Sequence, residues 1–345
     1  MSQSEFKILS IDGGGIRGLY SACVLREIEQ VNGPVAEHFD MICGTSTGGL
    51  IALALAAGRS AEEIVEFYQD WGPRIFPQGL VPRLWRDTVG FYVWRGKYSD
   101  RRLREAVGSI LGERRMREAN SYVCIPSVEI RTASPYVFKT DHDRCLTRDS
   151  DMLMADVAMA TSAAPFYFPV VSPGQLQRGE YVDGGLWANN PALVGLIEAY
   201  RFFAGPGKPY ASVGILSIPT VSPVVGYSVG HHPRRSVRSF AKAAADITFE
   251  AQQRATINFI SLIGQSLDPS LRHERIPAPI ASAQLVPHLK LDVASKQAVN
   301  ILMGFGHRVG QEYNTRAEIV RFFNERAAKP IFNTRKRGEK SHGEL

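Results

Sequence analysis

Over the first 57 positions, apolar residues recur in an order that predicts the elements one by one. Phe6-Lys7-Ile8-Leu9-Ser10-Ile11 is an apolar run of strand length, and Asp12-Gly13-Gly14-Gly15-Ile16-Arg17-Gly18 follows it. Over residues 19 to about 31 the pattern lengthens. Leu19, Ala22, Cys23, Val24, Leu25, Ile28 and Val31 make a wide apolar face, with Arg26, Glu27, Glu29 and Gln30 largely opposite, which predicts a helix. A second apolar stretch, 39–43, runs into Gly44-Thr45-Ser46-Thr47-Gly48, and 49–57 is apolar and rich in helix formers. The order strand, glycine loop, helix, strand, serine turn, helix predicts parallel strands with helical crossovers. Both loops then stand at the same, C-terminal edge of the sheet.

Further on, Ser60-Ala61-Glu62-Glu63 is a capping box that opens a helix to about Trp71. A basic helix is predicted at Asp100–Leu111, strands at 121–130, 136–140 and 213–218, and helices at 151–160, 237–263, 295–303 and 315–327. A proline-interrupted connector and another strand-like run, 285–291, lie in the last third. The segment 72–98 breaks the pattern, because Pro73, Pro77, Gly79, Pro82, Gly90 and Gly96 alternate with aromatics and arginines. Either it is an irregular layer packed on the core, or it is a mobile lid whose Trp85, Trp94 and cations meet an anionic lipid interface.

Composition narrows this picture only slightly. The chain has 345 residues, 44% hydrophobic and 21% charged, an ordinary globular balance with ample core for one large α/β unit over 1–345. Its C-terminal helical part covers about 234–328, and a basic tail, 329–345, carries Arg335, Lys336, Arg337 and Lys340. Net charge is +6, compatible with an anionic partner such as a phospholipid headgroup or a nucleotide. The four cysteines show no C-x-x-C spacing, which argues against a zinc site or a disulfide framework. The start of the chain lacks a signal-peptide pattern, and the longest apolar run, 50–57, is far short of a membrane span. A reducing, cytoplasmic location is the expectation.

Three stretches carry candidate chemistry. Ser46 between Gly44 and Gly48, after a strand and before a helix, fits the G-x-S-x-G nucleophile elbow, in which side chains at the glycines would collide across a tight turn. Gly13-x-Gly15-x-x-Gly18 fits two uses. A dinucleotide fingerprint would want an acid at the end of the second strand, where this chain has the serine turn instead. An oxyanion hole would use the successive glycine N–H groups, with the positive charge of Arg17 nearby. Asp183-Gly184-Gly185 ends a short strand-like run with an acid, which is either a functional carboxylate or a plain Asp-Gly turn.

Taken in order, the three stretches resemble the patatin-like phospholipases, with their D-G-G-G-x-R-G loop, G-x-S-x-G elbow and D-G-G/A acid; the likeness covers roughly residues 6–200. The small-residue and aromatic stretch from Ala160 to Pro169 looks like the same family's. The resemblance implies a three-layer α/β/α fold with a mainly parallel sheet. It also implies a Ser46–Asp183 dyad with no cofactor or metal, and an oxyanion hole from Gly13, Gly14 and Gly15 supported by Arg17. Glycerophospholipids at a membrane surface would be cleaved to fatty acid and lysophospholipid.

More narrowly, the stretches Gly44–Gly49 and Tyr181 to Pro191 look like those of stand-alone bacterial patatin-like proteins. Some of these are antiphage effectors that bind a cyclic dinucleotide, assemble, and degrade membrane lipid. A homo-oligomer and a cyclic dinucleotide activator follow as expectations, and a nucleic acid polymer does not. Tyr227, His231, His232, Arg234 and Arg235 offer stacking and phosphate-pairing chemistry, or form a solvated basic loop. Two rivals stay open: an α/β-hydrolase with His231 or His288 as base, and a non-catalytic binding or storage protein of the same fold.

Overall fold

Strict alternation along the strands sets the layers. The computed structural model describes residues 5–77, 97–174, 179–221, 237–266, 270–282 and 284–333. Its strands are β1 (Glu5–Ile11), β2 (Met41–Gly44), β3 (Tyr122–Glu129), β4 (Ser134–Lys139), β5 (Tyr181–Asp183), β6 (Ser212–Ile218) and β7 (Leu271–Arg275). On β1, Phe6 and Ile8 enter one buried cluster while Leu9 and Ile11 enter another. Met41 and Cys43 on β2, and Val213 and Ile215 on β6, side with Phe6. Ile42, Leu216 and Ile218 side with Leu9. A sheet buried on both faces requires helices on both.

The helices are α1 (Gly18–Asn32), α2 (Thr47–Ala56), α3 (Ala61–Ile75), α4 (Asp100–Leu111), α5 (Met154–Thr161), α6 (Gly185–Ala188), α7 (Ala192–Phe202), α8 (Val237–Ser266), α9 (Lys296–Tyr313) and α10 (Ala317–Val320). α1 to α5 and α9 pack on the Leu9 face; α7 and the Ile260–Ile263 end of α8 pack on the Phe6 face. The result is a three-layer α/β/α sandwich. α2 is buried all round, the condition for a helix that is apolar on every side.

Sheet order is β4-β3-β2-β1-β6-β7, parallel from β3 to β7, with β3 and β4 forming an antiparallel hairpin. β5 lies off this path. It pairs antiparallel with the second half of β3, Asp183 opposite Ser127, whereas β2 pairs with the first half, Cys43 opposite Cys124. β2 and β5 therefore share one lane beside β3 and run toward each other.

The helix Asp100–Leu111 has its expected bounds, because Ser99 caps it by accepting the Arg101 N–H and Gly112, at φ 59°, ends it. The capping box at Ser60 and Glu63 is present, and the helix continues past Trp71 to Ile75. Three expectations fail in the last third. The run 285–291 is no strand: it holds a 3-10 turn, Val286–His288, with Pro287 at its start. A strand, β7, stands where a connector was expected. Leu271-Arg272-His273-Glu274-Arg275 lacks apolar alternation, yet it pairs along β6 and turns His273 to Ser217 and Arg275 to Asp12. The helix expected over 315–327 is reduced to α10 and the turn Arg321–Phe323. Trp85 and Trp94 of the expected lid, the loop from Tyr227 to Arg235, and the tail beyond 333 lie outside the described residues.

α9 docks on α1 through two glycines. A Cβ on Gly306 would stand 2.4 Å from the Cys23 Cβ and 2.7 Å from the Tyr20 carbonyl oxygen. One on Gly310 would stand 2.5 Å from the Glu27 Cβ. Gly306→Ala should therefore lower stability in urea unfolding by about 2 kcal/mol through overpacking. Gly304→Ala, which meets no atom within 4 Å, should raise it by about 0.5–1 kcal/mol through helix propensity. Equal shifts for the two variants would contradict the close packing.

Candidate active site

Ser46 sits at the turn between β2 and α2 with φ 54° and ψ −122°, a left-handed conformation that side chains other than glycine rarely adopt. Neighbouring glycines make that turn possible. A Cβ on Gly44 would lie 2.1 Å from the Gly48 carbonyl oxygen, and one on Gly48 would lie 2.2 Å from that of Ile11. The Ser46 N–H donates to Thr161 Oγ1 at 3.0 Å, and Thr161 in turn donates to the Pro126 carbonyl at 2.6 Å. The strained turn is thus tied to β3 through α5. Thr45 adds a second tie, its hydroxyl donating to the Ala188 carbonyl at 2.5 Å.

Asp183 reaches the same place from the other end of the lane. β5 ends at it, and Gly184 packs so tightly on Pro126 that a Cβ would stand 2.2 Å from the Pro126 carbonyl oxygen. The Asp183 carboxylate accepts the Gly185 N–H at 2.7 Å and hydrogen-bonds the Ser46 side chain. It is 2% exposed. Burial penalises the charged form and raises its pKa from the usual 3.8 to about 6, and the bonds from Ser46 and Gly185 offset only part of that rise. Such a carboxylate is ionised at neutral pH and is more basic than an exposed one. It can therefore take a proton from the hydroxyl that faces it.

The glycine loop joins this pair from β1. Gly14 and Gly15 line the same cleft as Ser46 and Asp183. Among the described residues, neither the Gly14 nor the Gly15 N–H donates to another group of the protein. Gly13 departs from the expectation. Its N–H is committed to the Asn189 carbonyl at 2.9 Å, so it offers no donor to the cleft, and a Cβ there would strike Asn189 Oδ1 at 2.4 Å. Arg17 is 7% exposed, and its Nε donates to the Gly14 carbonyl at 3.1 Å; it braces the loop from behind.

Asp12, fully buried at the head of the loop, pairs with Arg275 of β7 and accepts from Gln253 of α8. Desolvation pushes its pKa up, and the Arg275 guanidinium opposes this. α8 also receives the Asn189 N–H on Gln252 at 2.5 Å, so its adjacent glutamines hold both walls of the site. On a third side, the Leu291 carbonyl accepts the Ile16 N–H at 3.0 Å.

From Ser46 an apolar cleft opens between α2, α3 and the turn 164–168, walled by Ile16, Leu50, Phe67, Phe76, Phe168 and Leu291. Among the described residues no histidine lines the cleft, and His288 lies in the turn before Leu291. Among the described residues, no group of three or more His, Cys, Asp or Glu could hold a metal ion. The arrangement can polarise a carbonyl, present it to a hydroxyl beside a basic carboxylate, and house an aliphatic chain.

The structure brings Ser46, Asp183, Gly14 and Gly15 together, puts Gly44 and Gly48 beneath the serine, and leaves Arg17 behind the loop. Sequence reasoning passed over Thr161, Asn189, Thr220, Gln253 and Arg275, which hold these parts in place. Thr161 and Asn189 lay in stretches that carried a signal, Ala160 to Pro169 and Tyr181 to Pro191.

Comparison with known proteins agrees with this fold. A family model described as patatin-like phospholipase matches residues 9–196, more than half of the chain, and the chain belongs to that family. It is 40% identical over 223 residues to a Pseudomonas aeruginosa protein named cGAMP-activated phospholipase, 63% of either chain. A Vibrio cholerae protein of the same name is 37% identical over 232 residues, 64% of this chain and 65% of its own. Patatin-like protein 1 of Oryza sativa is 37% identical over 212 residues, 55% of this chain and 50% of its own. The chain spans less than two thirds of the length of these relatives.

The raised pKa of Asp183 has a sign for stability. Its folded value lies above its unfolded one, so the folded state binds the proton more tightly, and stability falls as pH rises from about 4 through about 6. Asp183→Asn removes the buried charge at similar volume. It should be more stable than wild type at pH 8 by on the order of 3 kcal/mol, with the gap closing below pH 4. Urea unfolding at both pH values checks this; a gap independent of pH would refute a buried ionised carboxylate.

Proposed function

We propose that this chain is a serine lipid acyl hydrolase that cleaves membrane glycerophospholipids. The observation that carries the reading is the Asp183 carboxylate hydrogen-bonded to Ser46 at the mouth of an apolar cleft. Ser46 Oγ attacks the ester carbonyl and passes its proton to Asp183, while the Gly14 and Gly15 N–H groups receive the oxyanion. Collapse of the adduct expels the lysophospholipid alcohol, which takes the proton back. Water activated by Asp183 then releases the fatty acid and restores the serine. The apolar cleft accommodates the acyl chain.

Peripheral action at a lipid surface belongs to the same proposal. Phe166 is 56% exposed at φ 71°, in the turn whose Ala164, Tyr167 and Phe168 line the cleft, and Val170 close by is 45% exposed. An aromatic side chain held outward on a left-handed backbone fits insertion between headgroups. Among the described residues no helix is long and apolar enough to cross a membrane. Activation by a cyclic dinucleotide is carried over from the relatives named cGAMP-activated phospholipase, while self-assembly and a part in antiphage defence rest on the sequence resemblance alone.

Fatty-acid release from phospholipid vesicles tests the reading, with and without cGAMP and related cyclic nucleotides. Ser46→Ala and Asp183→Asn should each lose roughly a thousandfold or more in rate. Wild-type kcat/KM should climb as pH rises through about 6, because only the ionised Asp183 accepts the serine proton. Activity surviving in Asp183→Asn would sink the dyad. A rate indifferent to every nucleotide, with unchanged light scattering, would remove the activation and leave the hydrolase.

Phe166→Asn keeps a residue that tolerates the left-handed backbone, and it should weaken vesicle binding by about tenfold while sparing hydrolysis of a soluble short-chain ester. Unchanged vesicle binding would refute the membrane contact.

A further inference from the structure

We propose that Thr220 is a positioning residue for the glycine loop, setting the direction of the Gly14 N–H. The inference rests on the reading of Gly14 as an oxyanion donor and adds what aims that donor. Thr220 follows β6 by two residues and is 4% exposed. Its hydroxyl donates to the Gly13 carbonyl at 2.9 Å. In a trans peptide the carbonyl and the next N–H point in opposite directions, so whatever holds the Gly13 oxygen also turns the Gly14 N–H the other way. That other side is the cleft that Gly14 lines with Ser46.

The neighbouring peptide repeats the device. Arg17 Nε and the Arg17 N–H both donate to the Gly14 carbonyl, at 3.1 and 3.2 Å, and this turns the Gly15 N–H. The two peptides in succession are therefore held by their carbonyls from behind, and their N–H groups are left for the cleft. Such a hold is needed because the Gly13–Gly14 peptide lies between two residues without side chains. It could rotate at small conformational cost, and its N–H would then leave the cleft.

Contact between Thr220 and the loop is close. A Cβ on Gly14 would stand 2.5 Å from Thr220 Oγ1 and 2.8 Å from its Cβ and Cγ2. No backbone group makes this bond to the Gly13 oxygen among the described residues. The hydroxyl is therefore what distinguishes Thr220 from any other residue of similar shape.

Three variants separate the hydroxyl from packing. Thr220→Val keeps the branched shape without the donor, Thr220→Ala removes both, and Thr220→Ser keeps the donor alone. Steady-state hydrolysis of a soluble p-nitrophenyl ester, with and without cGAMP, should show kcat lowered about 10- to 100-fold in the Val and Ala variants. Their KM should stay within about twofold, because the ground-state carbonyl makes little use of the donor. Affinity for a trifluoromethyl ketone, whose serine adduct bears the oxyanion, should weaken by the same factor as kcat. Thr220→Ser should stay within about threefold of wild type in both measurements.

Wild-type kcat in Thr220→Val, or a Ser variant as impaired as Ala, would overturn the proposal. So would a loss in KM alone, since that is the mark of altered packing. Ser46→Ala assayed alongside isolates the parent reading: if it hydrolyses the ester at the wild-type rate, the acyl-hydrolase assignment itself has failed.

Discussion

Two strand ends meet in one lane beside β3, and the gap between them is the constraint on which the site depends. β2 ascends to Gly44 against the first half of β3, and β5 descends to Asp183 against the second. Neither can lengthen without colliding with the other. The serine turn and the acidic turn therefore face across the vacated position, next to Pro126, whose carbonyl receives Thr161 and lies against Gly184. Position along a hydrogen-bonded ladder is among the best-determined coordinates a fold offers, because a slip of one residue would turn every side chain to the wrong face. Asp183 is directed toward Ser46 by the register of a sheet.

This geometry also accounts for the burial of the carboxylate. Paired with β3 and packed beside α5, the carboxylate meets very little water, and the charged form becomes costly. The cost and the basicity are the same quantity seen from two sides. A carboxylate in water would be a weaker base toward a serine hydroxyl, and the bonds from Ser46 and Gly185 offset part of the rise that burial brings. Two bonds, from Ser46 and from the Gly185 N–H, bring it to an intermediate point.

What the sequence made legible follows from the range of the forces involved. Strand alternation and the Ser60 capping box act within a few residues, so they could be read directly from the chain. The serine elbow belonged to the same class, because its glycines are explained by clashes inside one turn. Asp183 was legible as an acid before glycines, while its partnership with Ser46 came through family likeness. The glycine loop was legible only as a group. Three adjacent glycines look alike in sequence, yet Asn189, Thr220 and Arg17 divide them, tying up the N–H of Gly13 and turning those of its two neighbours. β7 escaped for a related reason, since its His273 and Arg275 serve buried polar partners on other elements and leave no apolar rhythm.

The groups that steady the glycine loop come late in the chain. The stretch matched by the family model ends at residue 196, whereas Thr220, Gln253, Arg275 and Leu291 all follow it. On the ribosome, the serine turn and its acid emerge well before the last of these supports. A nascent chain made only as far as residue 200 would carry Ser46 and Asp183 beside a loop still free to turn its peptides. The candidate site can therefore be aligned only after residues beyond 220 have been made. Ser46 and Asp183 come first along the chain, and the residues that hold the glycine loop follow both of them.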